Sequence, residues 1–244
     1  MTNVVLLVFE GEKTEVQIFN SLKKNFFQNT TNTLIHATYN AEIYQLYREI
    51  KNDSDLDLIE ILRERNETNK ENLKEINREQ VSQIYLFFDY DRHSTMASDD
   101  KIIEMLELFN EETENGRLFI SYPMVEAVKH FNKNADFCLD ECSILISEKK
   151  YKHLIDMYSS FKDFRKFDEV DWYYIISKTI SKTFCITNDL CEKPDYDVFS
   201  GTTQNLIFSK QLENFVLYKR IAVLSGFPLF LLEYFGEVLY NKVR

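Results

Sequence analysis

Apolar residues run unbroken from Val4 to Phe9 and then give way to Glu10-Gly11. A continuous aliphatic run of this length fits a strand buried on both faces, the environment of a parallel sheet. Thr14 and Gln17 follow at capping-box spacing, with Val16, Phe19, Leu22 and Phe26 at helical intervals. The start of the chain therefore predicts strand, tight turn and helix. A second short strand is expected at Thr33–Thr38, followed by an amphipathic helix carrying Ile43, Leu46, Tyr47 and Ile50 at i, i+3, i+4 and i+7.

Residues 51–80 change character, with 15 of 30 residues charged and Glu67–Lys70, Glu71–Lys74 and Glu75–Arg78 all at i, i+3. Such spacing supports a helix through paired charges, and the run predicts a solvated helical insertion. The apolar pattern resumes at Ile84–Phe88, a strand that ends in Asp89-Tyr90-Asp91. Ser98, Asp99 and Asp100 mark a helix entry with Ile102, Leu106 and Phe109 on one face, and Leu118–Ser121 is a further short strand. This β-α-β-α-β-α-β order predicts an α/β fold, a parallel sheet flanked by helices and joined by right-handed crossovers.

From about residue 124 the apolar positions fall at helical intervals and are rich in aromatics: Tyr151, Leu154, Ile155 and Tyr158, then Tyr174 and Ile175, and later Phe215, Leu217, Leu229, Leu232 and Phe235. The expected organisation is an α/β domain over 1–125, with the charged insertion at 51–80, and an all-α half over 126–244. The aromatics and the lone Trp172 read as its core.

Composition narrows the picture. With five glycines and three prolines in 244 residues, the chain is short of turn residues and suited to long regular elements. Net charge is −11, and it is uneven: residues 1–122 hold 13 basic and 23 acidic groups (−10), residues 123–244 hold 16 and 17 (−1). An overall basic footprint for nucleic acid is lacking, so a polyanion would be held by local patches or by bound metal. Cys138, Cys142, Cys185 and Cys191 form no CxxC pair and no zinc-finger spacing, and are expected to be reduced core thiols. The N-terminus lacks the basic region of a signal peptide. The apolar stretch Ile221 to Leu232 is interrupted by Ser225, Gly226 and Pro228 and falls short of the roughly 20 residues a membrane helix needs. A cytoplasmic location follows as the expectation.

In open parallel sheets ligands bind beyond the carboxyl ends of the strands. Glu10, with Glu12 and Glu15 nearby, closes the first strand; Asp89 and Asp91 close the third; Glu126 follows the fourth. Residues two apart in a strand face the same side, so Asp89 and Asp91 can point together. Carboxylates converging without matching cations repel one another unless a divalent cation sits among them.

Val8-Phe9-Glu10-Gly11-Glu12-Lys13-Thr14-Glu15 together with Phe87-Phe88-Asp89-Tyr90-Asp91 resembles the TOPRIM domain of topoisomerases, bacterial primases and OLD-type nucleases. The Glu10–Glu15 string is similar to the RloB-like, anti-phage-defence branch, and the resemblance covers about residues 1–125. It implies phosphodiester chemistry dependent on Mg²⁺ or Mn²⁺. Asp89 and Asp91 would hold the metal, Glu10 would serve as general acid/base or further ligand, Glu15 would fall near a second acidic position, and Glu126 would match the acidic residue after the fourth strand. The residues themselves add Lys13 at the positive end of the first helix for a phosphate contact. Arg92 and His93, just after the DxD, are candidates for phosphate and leaving-group contacts.

The leading expectation is thus a TOPRIM-type nuclease cutting RNA, tRNA among them, or DNA, as the toxic effector of a phage-defence system with an ATPase partner. The helical half is left open to substrate binding, homodimer formation or partner docking. Nucleotidyl transfer of the primase type is an alternative, although no template module or basic groove is evident. A phosphatase reading of Asp89-Tyr90-Asp91 lacks the Thr expected where His93 stands. A non-catalytic interaction module is the alternative from a different class.

Overall fold

The computed structural model describes residues 3–28, 30–52, 57–90, 98–133, 143–145 and 150–243. The chain divides into two compact units, Met1–Leu118 and Phe119–Arg244.

The first unit is α/β. Strand β1 (Val4–Phe9) is buried at every position and lies between β2 (Thr33–Thr38) and β3 (Val81–Asp89), parallel to both. The register places Phe9 beside Thr38 on one side and Phe87 on the other, so β1 and β2 end together and β3 runs two residues further, to Asp89. The full order is β2-β1-β3-β5-β4, with β4 (Asn110–Glu111) antiparallel to β5 (Gly116–Ser121). The sheet is therefore mostly parallel, with an antiparallel hairpin at one edge. The last strand starts earlier than its apolar residues predict, because Gly116 and Arg117 pair with Glu111 and Asn110.

Helix α1 (Thr14–Phe26) buries Phe19 and Leu22 as its spacing predicts, while Val16 and Phe26 are half-buried and Ile18 joins the core instead. Its start differs from the expectation of a Thr14 capping box: Lys13 holds the N-cap without a side-chain cap, and the Glu15 carboxylate turns back to accept the Gly11 N–H at 3.2 Å. Helix α2 (Ile43–Asn52) buries Ile43, Leu46, Tyr47 and Ile50.

The charged run is helical but not a solvated insertion. Helices α3 (Leu58–Arg65) and α4 (Glu67–Asn72) bury Leu58, Ile59, Leu62 and Asn69. The Arg63 guanidinium donates to the carbonyls of Leu73 and Ile76, and Arg78 donates to those of Val81, Thr113 and Glu114. Arginines that look solvent-directed in the sequence thus satisfy backbone oxygens, while Glu67 and Lys70 do form the expected i, i+3 pair at 3.7 Å.

Helix α4 also completes the outer edge of β2. The Asn69 side chain accepts the Thr38 N–H at 2.9 Å and donates to the Thr38 carbonyl at 2.7 Å and the Leu62 carbonyl at 2.8 Å. Asn66 and Asn72 add contacts to the carbonyls of Thr38 and His36. An edge strand presents unpaired backbone groups, and here asparagine amides answer them. Helix α5 (Asp99–Leu108) begins at the expected Ser98 cap and buries Ile102, Met105 and Leu106.

The second unit is helical: α6 (Tyr151–Tyr158), α7 (Glu169–Asn188), α8 (Tyr196–Ser200), α9 (Gln204–Asn214) and α10 (Gly226–Val243). It is not all-α, since β6 (Ser143–Leu145) and β7 (Arg220–Ala222) form an antiparallel pair. Short strands of three residues leave little period-2 signal, which is why the pattern misses them. Trp172 is fully buried and packs edge-on against Phe167, and Tyr151 and Phe215 are buried as expected of the core, whereas Tyr158, Tyr174 and Phe235 are half-buried and Leu154 and Leu217 are exposed.

Cys185 and Cys191 are joined in a disulfide, which corrects the expectation of reduced thiols. Asp189 ends α7 in a left-handed conformation and reverses the chain, bringing Cys191 back with a Cα separation of 4.4 Å. Cys138 and Cys142 lie outside the described residues. Among the described residues no helix is long and apolar enough to cross a membrane.

Candidate functional site

The carboxyl ends of β2, β1 and β3 lie side by side at one end of the sheet. Backbone hydrogen bonds continue the sheet past the strands: Tyr39 N–H to Phe9 at 2.7 Å, Asn40 N–H to Glu10 at 3.0 Å and Glu10 N–H to Phe87 at 3.2 Å. One more bond is made by a side chain. The Glu10 carboxylate accepts the Asp89 backbone N–H on Oε2 at 3.0 Å, which fixes the carboxylate at the end of β3. Glu10 and Asp89, separated by 79 positions in sequence, thus meet at one place, both half-buried.

Asp89 is the last residue of β3, and Tyr90 behind it is buried with its hydroxyl donating to Asp99 Oδ1 at 2.9 Å at the start of α5. Tyr90 turned inward agrees with alternation along the strand end. Asp91, Arg92 and His93 lie outside the described residues.

Of the other candidates, Glu15, Lys13 and Glu126 lie within the described residues. Glu15 is buried and capped onto Gly11, where a Cβ would stand 3.0 Å from its Oε1. Its negative charge sits at the start of α1, where the helix dipole favours an anion. Lys13 itself is exposed in the turn.

Glu126 belongs to the second unit, in the short 3₁₀ turn Val125–Lys129. It is buried, its Oε1 stands 3.1 Å from the Lys152 ammonium, and its Oε2 has no hydrogen-bond partner among the described residues. His130 is buried with Nδ1 3.0 Å from the Tyr151 hydroxyl. His36 packs on Phe19 and Phe9, and burial, with Lys23 adding to it, holds its pKa below the usual imidazole value.

Among the described residues, no group of three or more His, Cys, Asp or Glu side chains is gathered as a metal site. The pair Glu10 and Asp89 offers oxygen donors alone, the donor type that Mg²⁺ and Mn²⁺ prefer. One residue that the sequence reading left without a role, Asn40, donates from its side-chain amide to Glu12, tying the segment after β2 to the turn after β1. The signal for Asn40 is an asparagine two residues past a strand, a residue type that tolerates a left-handed turn.

Compared with protein-family models, with curated proteins and with solved structures, the chain gives no match.

Proposed function

We propose that this chain is a TOPRIM-type nuclease that hydrolyses phosphodiester bonds in RNA or DNA with Mg²⁺ or Mn²⁺, as the toxic effector of a phage-defence system with an ATPase partner. The observation that carries the reading is the meeting of Glu10 and Asp89 at the carboxyl ends of neighbouring parallel strands, with Glu10 Oε2 on the Asp89 amide. The motif resemblance supplies the reaction class. The donor chemistry fits the ion, which would be held by Glu10 and Asp89 with Asp91 as their companion.

When bound, a divalent ion polarises the scissile phosphate, acidifies a water and neutralises charge in the transition state. The chain's own groups have separate tasks. Glu10, oriented by the Asp89 amide, would take a proton from the attacking water on Oε1 or return one to the leaving oxygen. Lys13, on the exposed turn, would meet a substrate phosphate as a point charge. Arg92 and His93, next along the chain, would assist at the phosphate and the leaving group. Glu15 would act through the turn, by holding Gly11.

The test is cleavage of RNA, tRNA included, and of single- and double-stranded DNA by the purified chain with Mg²⁺ or Mn²⁺. Glu10→Ala and Asp89→Ala should each lose about 10²–10⁴-fold in rate, with unchanged circular dichroism. Variants that cut at the wild-type rate would overturn the assignment. Mn²⁺ binding with no cleavage of any nucleic acid would replace it with a non-catalytic module.

A further inference from the structure

Asn40, two residues past the end of β2, has φ 58°, a left-handed conformation, and contacts the acidic turn after β1 twice. Its backbone N–H donates to the Glu10 carbonyl at 3.0 Å, and its side-chain Nδ2 donates to Glu12 Oε1. Because β1 lies between β2 and β3, Glu12 is drawn to one neighbour of the central strand and Glu10, through the Asp89 amide, to the other. Glu10 and Glu12 stand two positions apart in an acidic turn, where like charges repel.

We infer that Asn40 is a positioning residue for the cation site: its amide holds Glu12 towards β2, and so keeps the Glu10 carboxylate presented beside Asp89. This rests on the reading that Glu10 and Asp89 take a divalent cation. Partners in the outer shell of a metal site orient the ligands, and losing one costs about 10–100-fold in metal affinity. Asn40 touches neither cation nor substrate; it acts through Glu12 and the Glu10 backbone.

The experiment is calorimetric titration of the full chain with Mn²⁺ at fixed pH. Asn40→Gly keeps the left-handed backbone and its N–H but deletes the amide, so strain and side-chain bonding separate. Its Kd for Mn²⁺ should rise about tenfold, with an unchanged thermal midpoint. Asn40→Asp sets a carboxylate against Glu12 and should weaken binding at least as much. In the double variant Asn40→Asp with Glu12→Gln, the hydrogen bond re-forms with donor and acceptor exchanged, and the Kd should return to within about twofold of wild type. A purely structural role would show no such rescue.

If Asn40→Gly binds Mn²⁺ as tightly as wild type or tighter, or if the double variant fails to recover, the inference is wrong while the parent reading stands. Asp89→Ala serves as the control for that reading. Should it bind Mn²⁺ like wild type, or should the wild type bind none, the cation site itself falls and the role of Asn40 falls with it.

Discussion

Asn69 and Gln211 each bond both backbone groups of a single strand residue. Asn69 takes the N–H and carbonyl of Thr38; Gln211, fully buried, accepts the Ala222 N–H at 3.0 Å and donates to its carbonyl at 2.7 Å. A primary amide has the donor and acceptor of a peptide group, so it can stand where a neighbouring strand would be. Neither residue is distinguishable in the sequence from an ordinary polar position, because burial of an amide depends on what faces it. His36 is the other residue whose environment the sequence conceals. Its pKa is lowered from 6.5, mainly by burial, so the folded state favours neutral imidazole. The stability this contributes is complete above the unfolded value and is lost as pH falls through 6.5 towards the depressed folded value. The urea midpoint should therefore drop between pH 7 and pH 5, and His36→Phe should flatten that drop; an unchanged slope would refute the assignment.

At the level of elements, the strands announce themselves and the edge cover does not. Val4–Phe9 and Ile84–Phe88 are apolar runs because both faces of a central parallel strand are buried, and all of these residues are buried in the fold. The run 51–80 misleads for the opposite reason. Its charges are real, yet Leu58, Ile59, Leu62 and Leu73 are enough to dock α3 and α4, and the arginines turn to carbonyl oxygens. The docking has a measurable dependence on Asn69. Asn69→Ala would remove the partner of the Thr38 N–H and the amide donor to the Thr38 and Leu62 carbonyls, and a buried unsatisfied group costs about 1–3 kcal/mol. A loss of about 3 kcal/mol is expected in denaturant unfolding, against a negligible change if α4 were solvated. The site itself was legible in part: Glu10 and Asp89 follow from strand ends and a motif, whereas Asn40 needs the β2-β1-β3 order before its reach to Glu12 has meaning.

For the whole molecule, the charge of −11 and its concentration in the first half have an energetic consequence. Acidic groups gathered at the sheet end repel, and a functional cluster of this kind is held at some cost in stability. Asp89→Asn should raise the thermal midpoint in chelator, by the equivalent of about 0.5–2 kcal/mol, while abolishing the stabilisation that Mn²⁺ would give wild type at the proposed site. That stabilisation would be about 2.7 kcal/mol at a hundredfold excess over Kd. A midpoint lowered by the substitution would mean that Asp89 is structural. The lateral limits of the main sheet carry a different consequence. On one side the amides of α4 occupy the outer backbone groups of β2; on the other, β4 is two residues long and its Asn110 carbonyl already accepts from Arg117. At these positions an incoming polypeptide finds the backbone groups it would pair with already engaged, so edge-to-edge zipping is opposed there while the native hydrogen bonds persist, and Asn69→Ala would free the Thr38 N–H.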